Sequence, residues 1–563
     1  MAIVECVPNF SEGRDLAVIE QITRAIDAVD GCQVLDVDPG AATNRTVVTV
    51  VGDPEAVLEG AFQGIVKAAE LIDMSKHHGA HPRMGATDVC PFVPVAEITM
   101  EECAELARRL GRRVGEELGI PVYLYEHAAS RPERVNLADV RSGEYEGLPQ
   151  KLKDPQWKPD FGPAVFNPRT GATAISAREF LLAYNVNLNT QDKKKASDIA
   201  LDLREKGRAK RDANGKIIRD ENGKAIKVPG RFKHVKAVGW YIDEYKLAQI
   251  SMNLTNYKVS SLHEVFDACC EEAEKRGLRV TGSEIVGLVP LEPMLMAGRH
   301  YLRKQGKSAG LPEPEVVECA IRSLGLRDVA DFDPEEKIIE YRLARGTTGL
   351  RDLTLSAFGH ELSSESPAPG GGSVAALCGS LAAGLTAMVA NLTVGRKDQK
   401  DDWEAMNEVA VQAQPHKDWL MRAVDADTDA FNAVLAARRM PKKTDEEIAA
   451  REATLREANR KATLVPLEVL ERNLPVLELT AQVAERGNPN SLSDAGVAAL
   501  CAMACAEGAW YNVLINLEGL MANDRDWAQQ TRQRADRALE AVLEKGRALQ
   551  QQVRARLESA LEG

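Results

Sequence analysis

Q-V-L-D-V-D-P-G-A-A-T-N-R-T-V-V-T-V-V-G-D-P-E-A-V-L-E-G-A-F-Q-G-I-V-K-A-A-E-L-I, residues 33–72, changes its hydrophobic period midway. Residues 33–37 and 46–51 are short, β-branched runs that read as strands, and 54–72 has the spacing of an amphipathic helix. Upstream, 3–7 reads as a strand and 15–29 as a helix; downstream, 91–95 is a strand, 99–118 a helix and 122–125 a strand. Strand, helix, two strands, helix, strand is the split βαβ pattern of ferredoxin-like domains. After a loop rich in Pro and Gly, about 147–171, the order recurs: strand 180–188, helix 193–204, strands 235–242 and 247–253, helix 262–275, strand 278–288. Two such units in series suggest a duplicated architecture with a binding cleft between them. Past about residue 345, β-branched alternation gives way to helical periodicity rich in Ala, Leu, Glu and Arg. The expected fold is α/β plus all-α: ferredoxin-like subdomains at 1–180 and 181–341, a linker at 342–351, and an all-helical bundle at 352–563.

At 563 residues the chain exceeds a single core. Its 44% hydrophobic and 28% charged residues are ordinary for a globular protein, and a net charge of −13 argues against nucleic acid as the main partner. Ten cysteines without a C-x-x-C pair, and a start that reads as a strand with no basic leader, point to a reducing cytoplasm. Residues 366–395 carry no charge and are long enough to span a bilayer. Their Ala, Gly, Ser and Thr content favours a buried central helix over an integral membrane segment. Within 193–236, fifteen Lys/Arg face six Asp/Glu, a local +9 around two Asn-Gly turns that read as an inserted hairpin. The segment is either a solvated insertion or a patch attracting polyanionic substrate tails.

Residues 77–85, H-H-G-A-H-P-R-M-G, place three of the nine histidines in one loop stiffened by glycines and a proline. Histidine transfers protons at neutral pH. A structural loop, or zinc on His77 and His81, are the competing readings, although Gly79 and Pro82 disfavour the helix that zinc pair requires. Asn9, Ser11, Asn44, Arg45 and Arg83 lie on neighbouring loop ends as candidate substrate contacts, arginine forks suiting carboxylates.

A second constellation lies at 420–435. Leu420, Val424, Phe431 and Val434 follow the rhythm of a buried helical stripe whose missing member, position 427, is aspartate. Asp425 and Asp429 are expected in solvent. A carboxylate in place of a core leucine costs several kcal/mol, roughly, unless paired or protonated, and such sites raise pKa values for proton transfer. A structural partner for Arg or Lys is the alternative, and a D-x-D-x-D metal loop a weaker one. Before the uncharged helix, P-A-P-G-G-G-S (367–373) offers Gly370, Gly371, Gly372 and Ser373 either as a cap with close helix packing or as backbone donors for an anion or the polar edge of a substrate.

Together these motifs resemble a known family. E-C-V-P-N-F-S-E-G (5–13), L-D-V-D (35–38), T-N-R-T-V (43–47), H-P-R-M-G-A-T-D-V-C-P-F (81–92), D-F-G-P (160–163), G-W-Y-I-D-E (239–244) and G-L-V-P-L (287–291) are similar to glutamate formiminotransferases. With the helical tail, the whole chain resembles the formimidoyltransferase-cyclodeaminase family. The resemblance implies a bifunctional transferase and ammonia lyase of histidine breakdown and one-carbon metabolism. The formimino group of N-formimino-L-glutamate passes to tetrahydrofolate, and the product is cyclised to 5,10-methenyltetrahydrofolate with loss of ammonia. It implies catalytic roles for His81 in transfer and Asp427, the middle aspartate of D-A-D, in cyclodeamination. It also implies a folate segment at Gly162, Pro163, Ala164, Val165, Phe166, Asn167, Pro168, Arg169, Thr170 and Gly171. Asn167, Arg169 and Thr170 depart from the vertebrate pattern. Tetrahydrofolate in polyglutamylated form, no metal, and a homo-oligomer built through both halves complete the expectation. The alternatives are a transferase whose helical half only assembles or binds folate, and a non-catalytic folate-binding scaffold.

Overall fold

The structure, a computed structural model, describes residues 2–41, 43–79, 82–344, 349–366 and 368–562, the side chain of Glu562 excepted. The chain forms two compact units, one of residues 1–293 and 324–345, the other of 294–323 and 346–563.

In the first unit the chain runs β1 (Ile3–Cys6), β2 (Asn9–Phe10), α1 (Leu16–Asp27), β3 (Cys32–Gly40), β4 (Arg45–Gly52), α2 (Pro54–Leu71), β5 (Thr87–Ala96), α3 (Met100–Glu117), β6 (Val122–Glu126) and β7 (Thr173–Ala177). β1 and β2 act as one interrupted strand between β4 and β5, and β3 borders β4, giving the ferredoxin-like order β3, β4, β1/β2, β5. β7 and β6 extend the sheet beyond β5 in parallel. β7 escapes the pattern reading because Thr-Ala-Ile-Ser-Ala is short, small and buried on both faces, so nothing alternates. Helix starts follow side-chain capping: Asp53 accepts the Glu55 N–H ahead of Pro54, and Thr99 forms a capping box with Glu102. One sheet face, with Val4, Cys6, Val48, Val50, Cys90 and Phe92, packs on Ile22, Ile26, Val57, Ile65 and Leu110 of the helices.

A second, four-stranded sheet has the order Val235–Ile242, Leu247–Leu254, Leu182–Leu188, Val280–Val286, all antiparallel, with helices Lys193–Leu203 and Leu262–Glu274. This again is the ferredoxin-like arrangement. The basic insertion is closed by an antiparallel ladder, Arg208–Ala209 with Lys227–Val228, and carries two tight turns in succession. Asp212 Oδ1 caps the N–H groups of Asn214 and Lys216, and Asp220 Oδ1 those of Asn222 and Lys224. At the two turns Gly215 and Gly223 take positive φ, +80° and +75°.

The second unit is helical: Gly371–Thr393, Trp403–Arg438, Asp445–Glu471, Asn473–Arg486, Leu492–Glu518 and Arg525–Glu562 are its long elements. Residues 308–310 join it through Ser308 Oγ donating to Asn391 Oδ1 (2.6 Å) and Ala309 N–H donating to Asn407 Oδ1 (2.8 Å). Two helical stretches, Gly371–Thr393 and Pro489–Glu518, are long and apolar enough to cross a membrane. Small residues in the first let helices approach closely: a Cβ on Gly379 would lie 2.8 Å from Cys505 Sγ and 3.2 Å from the Leu420 methyls. That approach buries Ala376, Ala382, Ala383 and Ala390 completely, which explains an uncharged helix rich in alanine and glycine.

Candidate active sites

Loop 77–85 begins with a histidine that is a strut. His77 is buried; its Nε2 lies 2.8 Å from Asn44 O, and its Nδ1 accepts from Arg83 Nε at 3.3 Å. A ring that donates on one side and accepts on the other is neutral, and burial pulls its pKa down. A zinc ion on either ring nitrogen would replace one of these two contacts. His78 is exposed, and its carbonyl accepts from Asn44 Nδ2 (3.1 Å). His81 lies outside the described residues.

The other candidates divide into scaffold and anion-facing groups. Asn44, at φ +50°, also accepts the Gly13 N–H, so its side chain is spent on holding three loops together. Ser11 Oγ donates to Gly85 O (2.7 Å). Arg83 forks onto Glu146 (2.9 and 2.6 Å), reaches Glu144 at 3.3 Å, and lies over the Tyr145 ring at 5.9 Å. A cavity of about 500 Å³ is lined by His78, Gly79, Arg83, Gly143, Glu144 and Glu146. Arg45 donates to Asn9 Oδ1 (2.9 Å) and to Asp88, which also receives Arg141 and the Met84 N–H (2.9 Å). Asp88 is fully buried, and burial lowers the Arg45 pKa. Arg45 and Arg141 thus share the Asp88 carboxylate, with their own side chains largely buried. Sequence reading passed over Asp88 and Arg141 as partners. Asp88 stands inside the quoted T-D-V-C motif, but Arg141 is separated from it by 53 residues.

Segment 162–171 docks on the same loop. Gly85 bridges Gly171; a Cβ on Gly85 would lie 2.3 Å from Ala172 O, and one on Gly171 would lie 2.2 Å from Met84 O. Ala86 N–H donates to Thr170 O, Tyr145 Oη to Pro168 O (2.6 Å), and Tyr145 packs on Phe166 with ring centroids 5.5 Å apart. Arg169 donates to Ala69 O (3.4 Å) and Glu70 O, while Asn167 Oδ1 caps the N–H groups of Arg169 and Thr170. Gly162, Pro163, Ala164 and Val165 are exposed. Of the three residues that depart from the vertebrate pattern, Asn167 and Arg169 are therefore occupied in shaping the segment through their side chains, and Thr170 through its backbone groups, its buried Oγ1 having no hydrogen-bond partner among the described residues.

Asp427 projects from Trp403–Arg438 into a cavity of about 620 Å³ whose lining includes Gly370, Gly371, Gly372, Thr428, Phe431, Arg438 and Asn459. The glycine run opens Gly371–Thr393 with no side-chain cap at Gly370. Ser373 Oγ donates to Val424 O (2.9 Å) and faces Asp427 Oδ2 at 3.4 Å and Thr428 Oγ1 at 3.3 Å. Burial raises the Asp427 pKa, and the hydroxyl and backbone N–H of Ser373 hold it partly back. A half-buried carboxyl that can rest protonated beside a cavity, with no cation among its determinants, suits proton transfer. The stripe reading holds at Leu420, Val424 and Val434, which are buried; Phe431 is 37% exposed because it lines the cavity. Asp425 differs from expectation: it accepts the Leu350 N–H (2.6 Å) and lies 3.5 Å from Arg351 Nε, while Asp429 is exposed. Asn459, Asn512 and Asn516 also line the cavity and were missed, since they come from helices far away in sequence.

Comparison with known proteins follows this division. Residues 3–178 match the model of the formiminotransferase domain, N-terminal subdomain, 183–344 that of the formiminotransferase domain, and 354–537 that of formiminotransferase-cyclodeaminase. Over 520 residues, 92% of this chain and 93% of the relative, it is 45% identical to the formimidoyltransferase-cyclodeaminase of Mus musculus. The glutamate formimidoyltransferase of Streptococcus pyogenes is 44% identical over 301 residues, covering 54% of this chain and 93% of its own. The methenyltetrahydrofolate cyclohydrolase of Methylorubrum extorquens is 41% identical over 177 residues, 31% of this chain and 84% of its own. With all three models in order along nearly the whole chain, the protein belongs to the formimidoyltransferase-cyclodeaminase family.

Proposed function

We propose that the chain is a bifunctional folate enzyme. Its α/β half moves the formimino group of N-formimino-L-glutamate to nitrogen 5 of tetrahydrofolate, and its helical half cyclises the product to 5,10-methenyltetrahydrofolate and releases ammonia. In the first step nitrogen 5 attacks the formimino carbon; His81 takes the proton from nitrogen 5 and returns one to the departing glutamate nitrogen. In the second step nitrogen 10 attacks the amidine carbon, and Asp427 carries the nitrogen 10 proton to the departing amine as the carbon–nitrogen bond breaks. The single observation that carries this reading is the Asp427 carboxyl, pushed toward its protonated form by burial at the wall of a cavity of about 620 Å³. Polyglutamylated folate fits the excess of Lys and Arg in the basic insertion, assembly as a homo-oligomer fits exposed Leu381, Leu392 and Leu500, and a cytoplasmic setting fits ten free cysteines. A steady-state assay with N-formimino-L-glutamate and tetrahydrofolate, following methenyl product and ammonia together, tests the reading. Transfer without ammonia release defeats its second half.

Likeness to a methenyltetrahydrofolate cyclohydrolase favours a second activity of the same helical site. Water would add to the methenyl carbon as one of its protons passes to Asp427, and the remaining hydroxyl proton would pass to nitrogen 5 as the carbon–nitrogen 5 bond breaks and the C=O of a 10-formyl product forms. Feeding methenyltetrahydrofolate to the enzyme should accelerate that hydrolysis in wild type and not in Asp427→Asn. Equal rates in both exclude it.

A further inference from the structure

Asn512 and Asn516 stand one helical turn apart on Leu492–Glu518, and both line the cavity that holds Asp427. Each has one end of its amide tied to protein. Asn512 Nδ2 donates to Gly508 O (2.8 Å), and Asn516 Nδ2 donates across helices to Ala462 O (2.7 Å). A backbone carbonyl only accepts, so the amide orientation of both side chains is fixed by their partners. What each has left to offer is its carbonyl oxygen, together with the second N–H of its amide. The wall thus presents two acceptors with i, i+4 spacing, which place side chains on the same helix face.

Their place along the cavity is also defined. A Cβ on Gly371 would lie 3.5 Å from Asn512 Nδ2, and one on the next residue, Gly372, would meet the Asp427 carboxylate. Asn512 is therefore at the proton-transfer end, with Asn516 one turn further along. Phe431, on the helix that carries Asp427, supplies an apolar face. Two carbonyl acceptors, each beside a spare amide N–H, next to an aromatic face suit a flat ring whose edge carries N–H donors. A reduced pterin has these in its 2-amino group and at nitrogen 8.

Building on the cyclodeaminase reading of the cavity, we infer that Asn512 and Asn516 are its specificity-determining residues. Their Oδ1 atoms accept from the pterin 2-amino group and nitrogen 8 and hold nitrogens 5 and 10 against Asp427. A site built to accept a substrate N–H rejects an analogue lacking it, because its own oxygen is left unpaired.

The test uses the full chain supplied with 5-formiminotetrahydrofolate or its 8-deaza counterpart, in which CH2 replaces that N–H, with ammonia as the readout. In wild type the 8-deaza compound should raise KM about 10- to 100-fold. Asn512→Ala and Asn516→Ala should each raise KM for the natural compound by a similar factor. The pH dependence of kcat should stay as in wild type, because Asp427 is untouched; a merely structural role would lower the melting temperature without selecting between the two compounds. In whichever variant lacks the oxygen facing nitrogen 8, the analogue's penalty should shrink to below about 3-fold. An equal penalty in wild type and both variants overturns the inference, as does no penalty in wild type, a comparison that needs no variant to fold. In either case the cyclodeaminase reading survives so long as wild type releases ammonia from the natural compound. If wild type releases none, it is that reading which fails.

Discussion

Replacing Gly372 by alanine puts a methyl group where the Asp427 carboxyl now sits. The added Cβ would lie 2.1 Å from Oδ1, 2.4 Å from Cγ and 2.5 Å from Oδ2, whereas ordinary contact begins at 3.4 Å. The carboxyl has to retreat by about 1.3 Å, and the cavity beside it leaves room for it to do so. The backbone has no reason to object, since Gly372 lies within Gly371–Thr393, where alanine is the better helix former by roughly 0.5–1 kcal/mol. Stability should thus change little while the proton carrier is misplaced, and an error of about 1 Å in a reacting group costs on the order of 100-fold in rate. The expected result is an ammonia-release kcat about 100-fold below wild type with supplied 5-formiminotetrahydrofolate, unchanged formimino transfer, and a melting temperature within a few degrees of wild type. Gly384→Ala in the same helix is the control, because its nearest neighbours are the Lys417 methylenes at 3.9 and 4.0 Å. A folded Gly372→Ala protein that releases ammonia within about 3-fold of wild type would refute the assignment of Asp427.

Four further outcomes are expected. His81→Ala should lower formimino transfer by about 100- to 10,000-fold, the range of general acid–base contributions, and leave cyclodeamination of supplied intermediate near wild type; equal damage to both steps in a folded protein would show that the sites are not separate. Asp427→Asn should let 5-formiminotetrahydrofolate accumulate. In wild type the burial that raises its pKa should move the acid–base limb of cyclodeaminase kcat above the ordinary carboxylate range, and a pH–rate profile without that limb counts against the proton-carrier role. Glu5 is 5% exposed in β1, and burial lifts its pKa from 4.5 to about 7, with Arg178 opposing. Folded Glu5 holds its proton where the unfolded chain has lost it, so this contribution is full below pH 4.5 and drains away as pH rises through about 7. Chemical denaturation at pH 5 and pH 8 should show Glu5→Gln flattening that slope, by roughly a few kcal/mol at most.

The parts legible in the sequence are those in which one element carries its own signal. Residues 33–72 announced two strands and a helix because a period of two or of 3.6 survives whatever packs against it. Asp427 was found the same way, as a carboxylate breaking a stripe that Leu420, Val424 and Val434 bear out by their burial. What stayed hidden needs two distant segments at once. Thr173–Ala177 becomes a strand only between β5 and β6, and Arg141 matters only because it shares Asp88 with Arg45. The amide of Asn516 is oriented only because Ala462 O on another helix takes its nitrogen. Asp425 was misread for the same reason: in its own helix it points away from the stripe, and only the arrival of Leu350 N–H and Arg351 gives it partners. Chemistry that sits on one element is written locally, whereas the orientation of that chemistry is set by groups that folding alone brings near. The two aspartates of D-A-D show the consequence. Position 425 meets a donor and a guanidinium, while position 427 meets a serine and a cavity, and burial raises the pKa of the second. Two identical side chains two residues apart are thereby given different work.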